Sequence, residues 1–194
     1  MTVQPDPQER GLIERAARGD RLAFASLVEA HRGAVYRFAL RLTRDQALAE
    51  DVLQDTFLVA MKGLAGWRGD GSFRGWLYAV ARSRVLMARR KKVGEPEAFE
   101  SNESLEVLGL QAGWGAPMDA EELAARVQQQ SVLEAALSGL EPEDREVLVL
   151  RDLEGLSGEE TAQALGLSLP AMKSRLHRAR LRLVAAVKGG NRGD

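Results

Sequence analysis

Two stretches of this chain carry positive charge with no acidic residue among them. From Thr161 to Gly193 the charged residues are Lys173, Arg175, Arg178, Arg180, Arg182, Lys188 and Arg192. From Gly71 to Gly94 they are Arg74, Arg82, Arg84, Arg89, Arg90, Lys91 and Lys92, with Trp67, Phe73, Trp76 and Tyr78 at or beside the start. Basic rows bind phosphates by charge, and side chains that also reach base edges discriminate between bases. Aromatics among arginines stack on unpaired bases. A face that is only solvated normally mixes both signs. The chemistry on offer is recognition of nucleic acid.

Bond-making chemistry has little support. There is no Cys, which excludes disulfides, thiolate metal sites and cysteine nucleophiles. His31 and His177 are far apart and lack metal-ligand company. The formal net charge of −1 conceals a sorted distribution. Between the basic stretches lie Glu95, Glu97, Glu100, Glu103, Glu106, Asp119, Glu121 and Glu122 with no basic residue among them, and Glu141 to Glu160 is acidic again. Two separate nucleic-acid contacts fit this sorting better than one general polyanion patch. No signal peptide opens the chain and no apolar run reaches membrane-spanning length, so a cytoplasmic protein is expected.

The elements that position these residues read as helices throughout. Periodicity predicts helices near Gln8–Arg18, Arg21–Leu42, Ala47–Leu64, Phe73–Lys92, Val127–Leu137, Glu143–Leu153, Gly158–Leu165 and Leu169–Lys188, with no competing strand pattern. Val93 to Arg126 breaks the pattern with Pro96, Gly109, Gly113, Gly115 and Pro117, and reads as a linker in which Trp114 is a loosely ordered aromatic. If flexible, its roughly 34 residues have a root-mean-square span of about 30–35 Å. The fold class is all-α, with 45% hydrophobic residues to fill modest cores.

The last two helices read as a helix-turn-helix. Ser157 and Glu160 form a capping box, Gly166 ends the helix, and Ser168 caps the next, whose first turn tolerates Pro170. Met172, Leu176, Ala179 and Leu183 make a narrow apolar stripe expected to pack inward. Pro170, Ser174, His177 and Arg178 project opposite, with Lys173 on the flank, as a helix does in the major groove.

In the third helix Ala49, Val52, Leu53, Thr56 and Ala60 group on a buried side. Glu50, Asp51, Gln54, Asp55, Leu58 and Met61 face broadly the other way, an acidic strip with apolar members that suits a partner's basic helix. In the fourth, Trp76 and Val80 share a face that reads as core, while Trp67 and Tyr78 fit either core or base stacking.

AEDVLQDTFLVAMKGL, WRGDGSFRGWLYAVARSR and LEPEDREVLVLRDLEGLSGEETAQALGLSLPAMKSRLHRARLRL, in this order, resemble bacterial sigma factors of the extracytoplasmic-function group. The resemblance covers about residues 20–92 and 129–187. It implies a first helix or extension over 1–19, a sigma-two helical bundle over 20–92 and an acidic flexible linker over 93–128. A sigma-four helix-turn-helix domain over 129–188 and a tail over 189–194 follow. It further implies an RNA polymerase initiation subunit with no chemistry or cofactor of its own.

Asp51, Gln54, Asp55 and Leu58 stand where the family binds the β′ clamp helices of the polymerase core, whose β subunit is a further expected contact. Trp67, Arg68, Gly69, Asp70, Phe73, Arg82, Ser83, Arg89 and Arg90 stand where it melts and captures the minus-ten element. Ser168, Pro170, Lys173, Ser174, Arg175, His177 and Arg178 stand where it reads the minus-thirty-five element. Ser83 and Met87 occupy places where the family often has Asn and Asp, so one hydroxyl replaces an amide and a charge is lost. The resemblance also implies promoter DNA as a partner, a chain that is monomeric alone, and control in trans by an anti-sigma protein, often membrane-bound. The competing reading is a stand-alone helix-turn-helix regulator with an N-terminal sensing or dimerisation domain.

Overall fold

Asp20 opens the first long helix by accepting the backbone N–H groups of Leu22 and Ala23 at 3.0 and 3.1 Å. The computed structural model describes residues 7–69, 71–92 and 120–190, and every regular element among them is helical. The first group comprises α1 (Pro7–Ala17), α2 (Arg21–Thr43), α3 (Gln46–Gly63), a 3-10 turn (Leu64–Gly66) and α4 (Phe73–Lys92). The second comprises α5 (Ala120–Ser138), α6 (Pro142–Leu148), a π-helical turn (Val149–Leu153), α7 (Gly158–Leu165) and α8 (Leu169–Gly190).

Local sequence explains the joints. Arg44 stops α2 in the left-handed region at φ 60°, and Asp45 at once caps α3 through the N–H of Leu48. Such a conformation costs a non-glycine residue roughly 1–2 kcal/mol, so packing on both sides must hold it. Ala39, Ala49, Ala60 and Ala81 are fully buried, which lets α2, α3 and α4 approach closely around Phe38, Leu42, Val52 and Leu77. Thr56 sits in this core with its hydroxyl donating to the Val52 carbonyl at 2.6 Å. His31 ties α1 down by pairing with Glu9 at 2.8 Å, and its ring meets Phe73 edge-on at 5.4 Å.

In the second group Arg145 is buried because it closes the end of α5. Its guanidinium donates to the carbonyls of Leu137, Ser138 and Leu140 at 2.8, 2.7 and 3.0 Å, the groups a helix end leaves without partners. Burial lowers the Arg145 pKa, and nearby Arg89 and Arg44 lower it further.

Three sequence expectations shift. α5 begins at Ala120, inside the stretch read as linker, because AEELAARV is rich in strong helix formers. The helix read over Glu143–Leu153 changes pitch at Val149, where the Glu154 N–H bonds the Val149 carbonyl at 2.8 Å. Tyr78, left open between core and base stacking, is 1% exposed and packs edge-on against Phe38 with ring centres 5.1 Å apart. The linker's flexibility and the setting of Trp114 lie outside the described residues.

Candidate nucleic-acid interface

The helix-turn-helix forms as its local sequence dictates. The Ser157 hydroxyl accepts from the Glu160 N–H at 3.1 Å, while the Glu160 carboxylate accepts from the Ser157 N–H at 2.7 Å. Gly166 ends α7 at φ 66°. Met172, Leu176 and Ala179 are buried, with Leu183 partly so. A Cβ placed on Gly158 would meet the Met172 methyl at 3.2 Å, a tight contact where α7 starts against α8.

Ser168, just before α8, and Pro170, Lys173, Ser174, His177 and Arg178 on it are exposed, and Arg175 is half-buried beside them. Two other members of the basic row, Arg180 and Arg182, have partners. Arg180 clasps Asp152 through two nitrogens at 2.9 and 2.6 Å, which raises its pKa, and Arg182 pairs with Asp144. The outward cations are thereby narrowed to Lys173, Arg175 and Arg178 over this stretch.

The loop before α4 builds an aromatic-walled groove of about 470 Å³. Trp67 and Trp76 line it with ring centres 6.1 Å apart and planes tilted by 37°, together with Val59, Gly63 and Arg68. A Cβ on Gly63 would stand 3.4 Å from the Trp76 ring, in van der Waals contact with the groove wall. Trp76, expected in the core, is only partly buried and forms a wall of the groove. Phe73 is 1% exposed and supports both tryptophans from beneath, at 5.9 and 5.7 Å between ring centres. It positions the groove rather than facing solvent. Gly69 and Gly71 take φ of 78° and 91°, a region that favours glycine. Arg68 is exposed at the rim, and Asp70 lies outside the described residues.

Along α4, Ser83, Met87 and Arg90 are exposed. Arg82 instead pairs with Glu146 at 2.8 Å, and Arg89 donates to the Leu42 carbonyl, holding α4 to the end of α2. On α3, Ala49, Val52, Thr56 and Ala60 are buried and Leu53 half-buried, as its periodicity predicts; Phe57, which periodicity did not single out, is buried with them. Asp51, Gln54, Asp55 and Leu58 form an exposed strip with Met61, and no ion pair engages Asp51 or Asp55 among the described residues.

Sequence reasoning missed the contact between the two helix groups. Glu154 is almost wholly buried against the first group. It accepts from the Tyr78 hydroxyl at 2.7 Å and from Arg41 at 2.9 Å, with Arg37 at 4.0 Å. Arg41 also reaches Glu134 at 3.3 Å. Burial would raise the Glu160 carboxyl, but hydrogen bonds from Ser72 and Ser157 and the charge of Arg74 hold it below the carboxylate range. The visible signal was the alternation of basic and acidic blocks, since the acids of 141–160 meet arginines of the first group.

Comparison with known proteins places this geometry. Residues 27–94 match the family model described as Sigma-70 region 2, and residues 130–183 match Sigma-70, region 4. The chain is 34% identical over 185 residues to an ECF RNA polymerase sigma factor, SigE of Mycolicibacterium smegmatis, covering 93% of this chain and 69% of that protein. It is 31% identical to the RNA polymerase sigma factor NccH of Alcaligenes xylosoxydans, covering 94% and 97%. The solved structure of CnrH in complex with the cytosolic domain of CnrY superposes with a TM-score of 0.69 at 29% identity, over 94% of this chain and 99% of that one.

Proposed function

Because the chain belongs to the extracytoplasmic-function group of the sigma-70 family, and so directs RNA polymerase to specific promoters, we propose how its surfaces divide that work. Residues 20–92 bind core polymerase and the minus-ten element, and residues 129–188 read the minus-thirty-five element. On α3, Asp51, Gln54, Asp55 and Leu58 dock on the clamp helices of β′, with β as a second contact. Trp67 and Trp76 receive a base unstacked from the non-template strand, while Arg68, Ser83 and Arg90 hold the backbone around it. Lys173, Ser174, His177 and Arg178 enter the major groove, with Ser168, Pro170 and Arg175 against the adjoining backbone.

The observation that carries this division is the uncovered strip on α3. Among the described residues Asp51 and Asp55 make no ion pair, although the chain engages many of its other carboxylates internally, as a surface reserved for a basic partner would. Binding of the full chain to core polymerase tests it. Asp51→Lys combined with Asp55→Lys is expected to abolish binding and leave the melting temperature unchanged; undiminished binding rejects the strip.

The chain works in the cytoplasm, at the nucleoid when active. An anti-sigma partner holds it inactive, in some states at the inner membrane; the CnrH structure, which contains the cytosolic domain of CnrY, supports control in trans. No helix among the described residues is long and apolar enough to cross a membrane.

A further inference from the structure

Trp76, Val80, Ser83, Met87 and Arg90 follow one another at alternating steps of 4 and 3 residues, the spacing that keeps side chains on one face of a helix. Trp76 and Val80 line the tryptophan groove. Ser83, Met87 and Arg90 line a second hollow of about 250 Å³, completed by Ala79, Arg82 and Leu86. Met87 is 49% exposed there. A lone exposed methionine is ordinary. This one joins Ala79 and Leu86 in a concave apolar wall, on a helix with no acidic residue from Gly71 to Gly94. The cations around it are sorted. Arg82 turns its guanidinium to Glu146 and Arg89 turns to the Leu42 carbonyl, while Arg90 is exposed at the rim.

An apolar wall edged by a hydroxyl and a guanidinium, inside a surface that attracts phosphate, has a counterpart on DNA. Thymine presents its C5-methyl beside the O4 acceptor on the major-groove edge. Cytosine lacks the methyl and puts a donor amine in place of O4, against the donors of Arg90. The midpoint of the hollow lies about 13 Å along α4 from Trp76 at 1.5 Å per residue. That is roughly four stacked nucleotides at 3.4 Å each.

We propose that Met87 sets base preference at a second position of the minus-ten element: with Ala79 and Leu86 it receives a thymine methyl, roughly four nucleotides from the base taken by the tryptophans. Ser83 and Arg90 hold the O4 of that thymine and the adjoining phosphate. The proposal rests on the reading of α4 as the minus-ten surface. What it adds belongs to this chain, since Ser83 and Met87, its two departures from the residues usual in the family, meet in the hollow.

Deleting the methyl from the DNA tests this with the protein intact. Core polymerase and the full chain select promoters from a pool randomised over the minus-ten element, and each recurrent thymine is then replaced singly by deoxyuridine. One replacement is expected to weaken binding about fourfold, the effect of one buried methyl group. At that position Met87→Ala is expected to bind thymine and deoxyuridine forms equally, and Met87→Leu, which stays apolar, to keep the difference. Selected promoters without a recurrent thymine, replacements that all leave affinity unchanged, or a loss that Met87→Ala preserves each overturn the proposal alone. Failure of the two proteins to open any promoter overturns the reading of α4, and the proposal with it.

Discussion

Tyr78 and Glu154 meet across 76 positions of sequence, the phenol donating to the carboxylate at 2.7 Å in a site closed to solvent. Burial raises the Tyr78 pKa, and the charge of Glu154 raises it further, so the phenol remains a donor at any physiological pH. Arg41 and Arg37 supply positive charge beside the Glu154 carboxylate. The backbone aims the carboxylate through two local devices, the π-helical turn before it and Gly155 at φ 69° after it.

Removing the hydroxyl isolates this bond. Tyr78→Phe keeps the ring against Phe38 and is expected to cost the full chain about 1.5–3 kcal/mol, the range for a hydrogen bond to a charged group. Urea unfolding of the two proteins measures the difference, and coincident midpoints would mean that this bond contributes nothing to stability.

What could be read from the sequence follows physical range. The capping box at Ser157 and Glu160, the stop at Gly166 and the inward stripe of α8 are set by neighbours within one or two turns, so spacing alone reveals them. The strip Asp51–Leu58 is legible for the same reason. The roles of Arg82, Arg89 and Glu154 are not, because each is decided by a partner 64, 47 or 76 positions away. A basic block looks alike whether it faces phosphates or carboxylates. Tyr78 and Trp76 were hard to separate because both lie on an aromatic-rich turn, and only the arrival of α2 and α7 settles which one is enclosed.

Acid should loosen the junction through Glu160. Its folded carboxyl titrates below the ordinary 4.5, so its contribution is complete above that value and is lost as pH falls through the lower folded one. The urea midpoint of the full chain is expected to drop more steeply between about pH 5 and pH 3 than that of Glu160→Gln. Parallel curves would assign the acid sensitivity to other carboxylates.

On α8, Arg178→Ala should reduce discrimination at one minus-thirty-five base pair by about 1–3 kcal/mol if Arg178 contacts a base edge. Competition binding against a set of singly substituted duplexes reads this directly. A loss uniform over all of them would make Arg178 a phosphate contact.

The central claim is that this chain turns core polymerase into a promoter-opening enzyme. Permanganate reactivity on the source organism's genomic DNA, probed with core polymerase and the purified chain and without ATP hydrolysis, tests it most directly. The expected result is a set of unpaired thymines at recurrent minus-ten positions that appears only when both proteins are present. Duplex binding by the chain alone, with no thymine made reactive by adding core polymerase, would contradict the account.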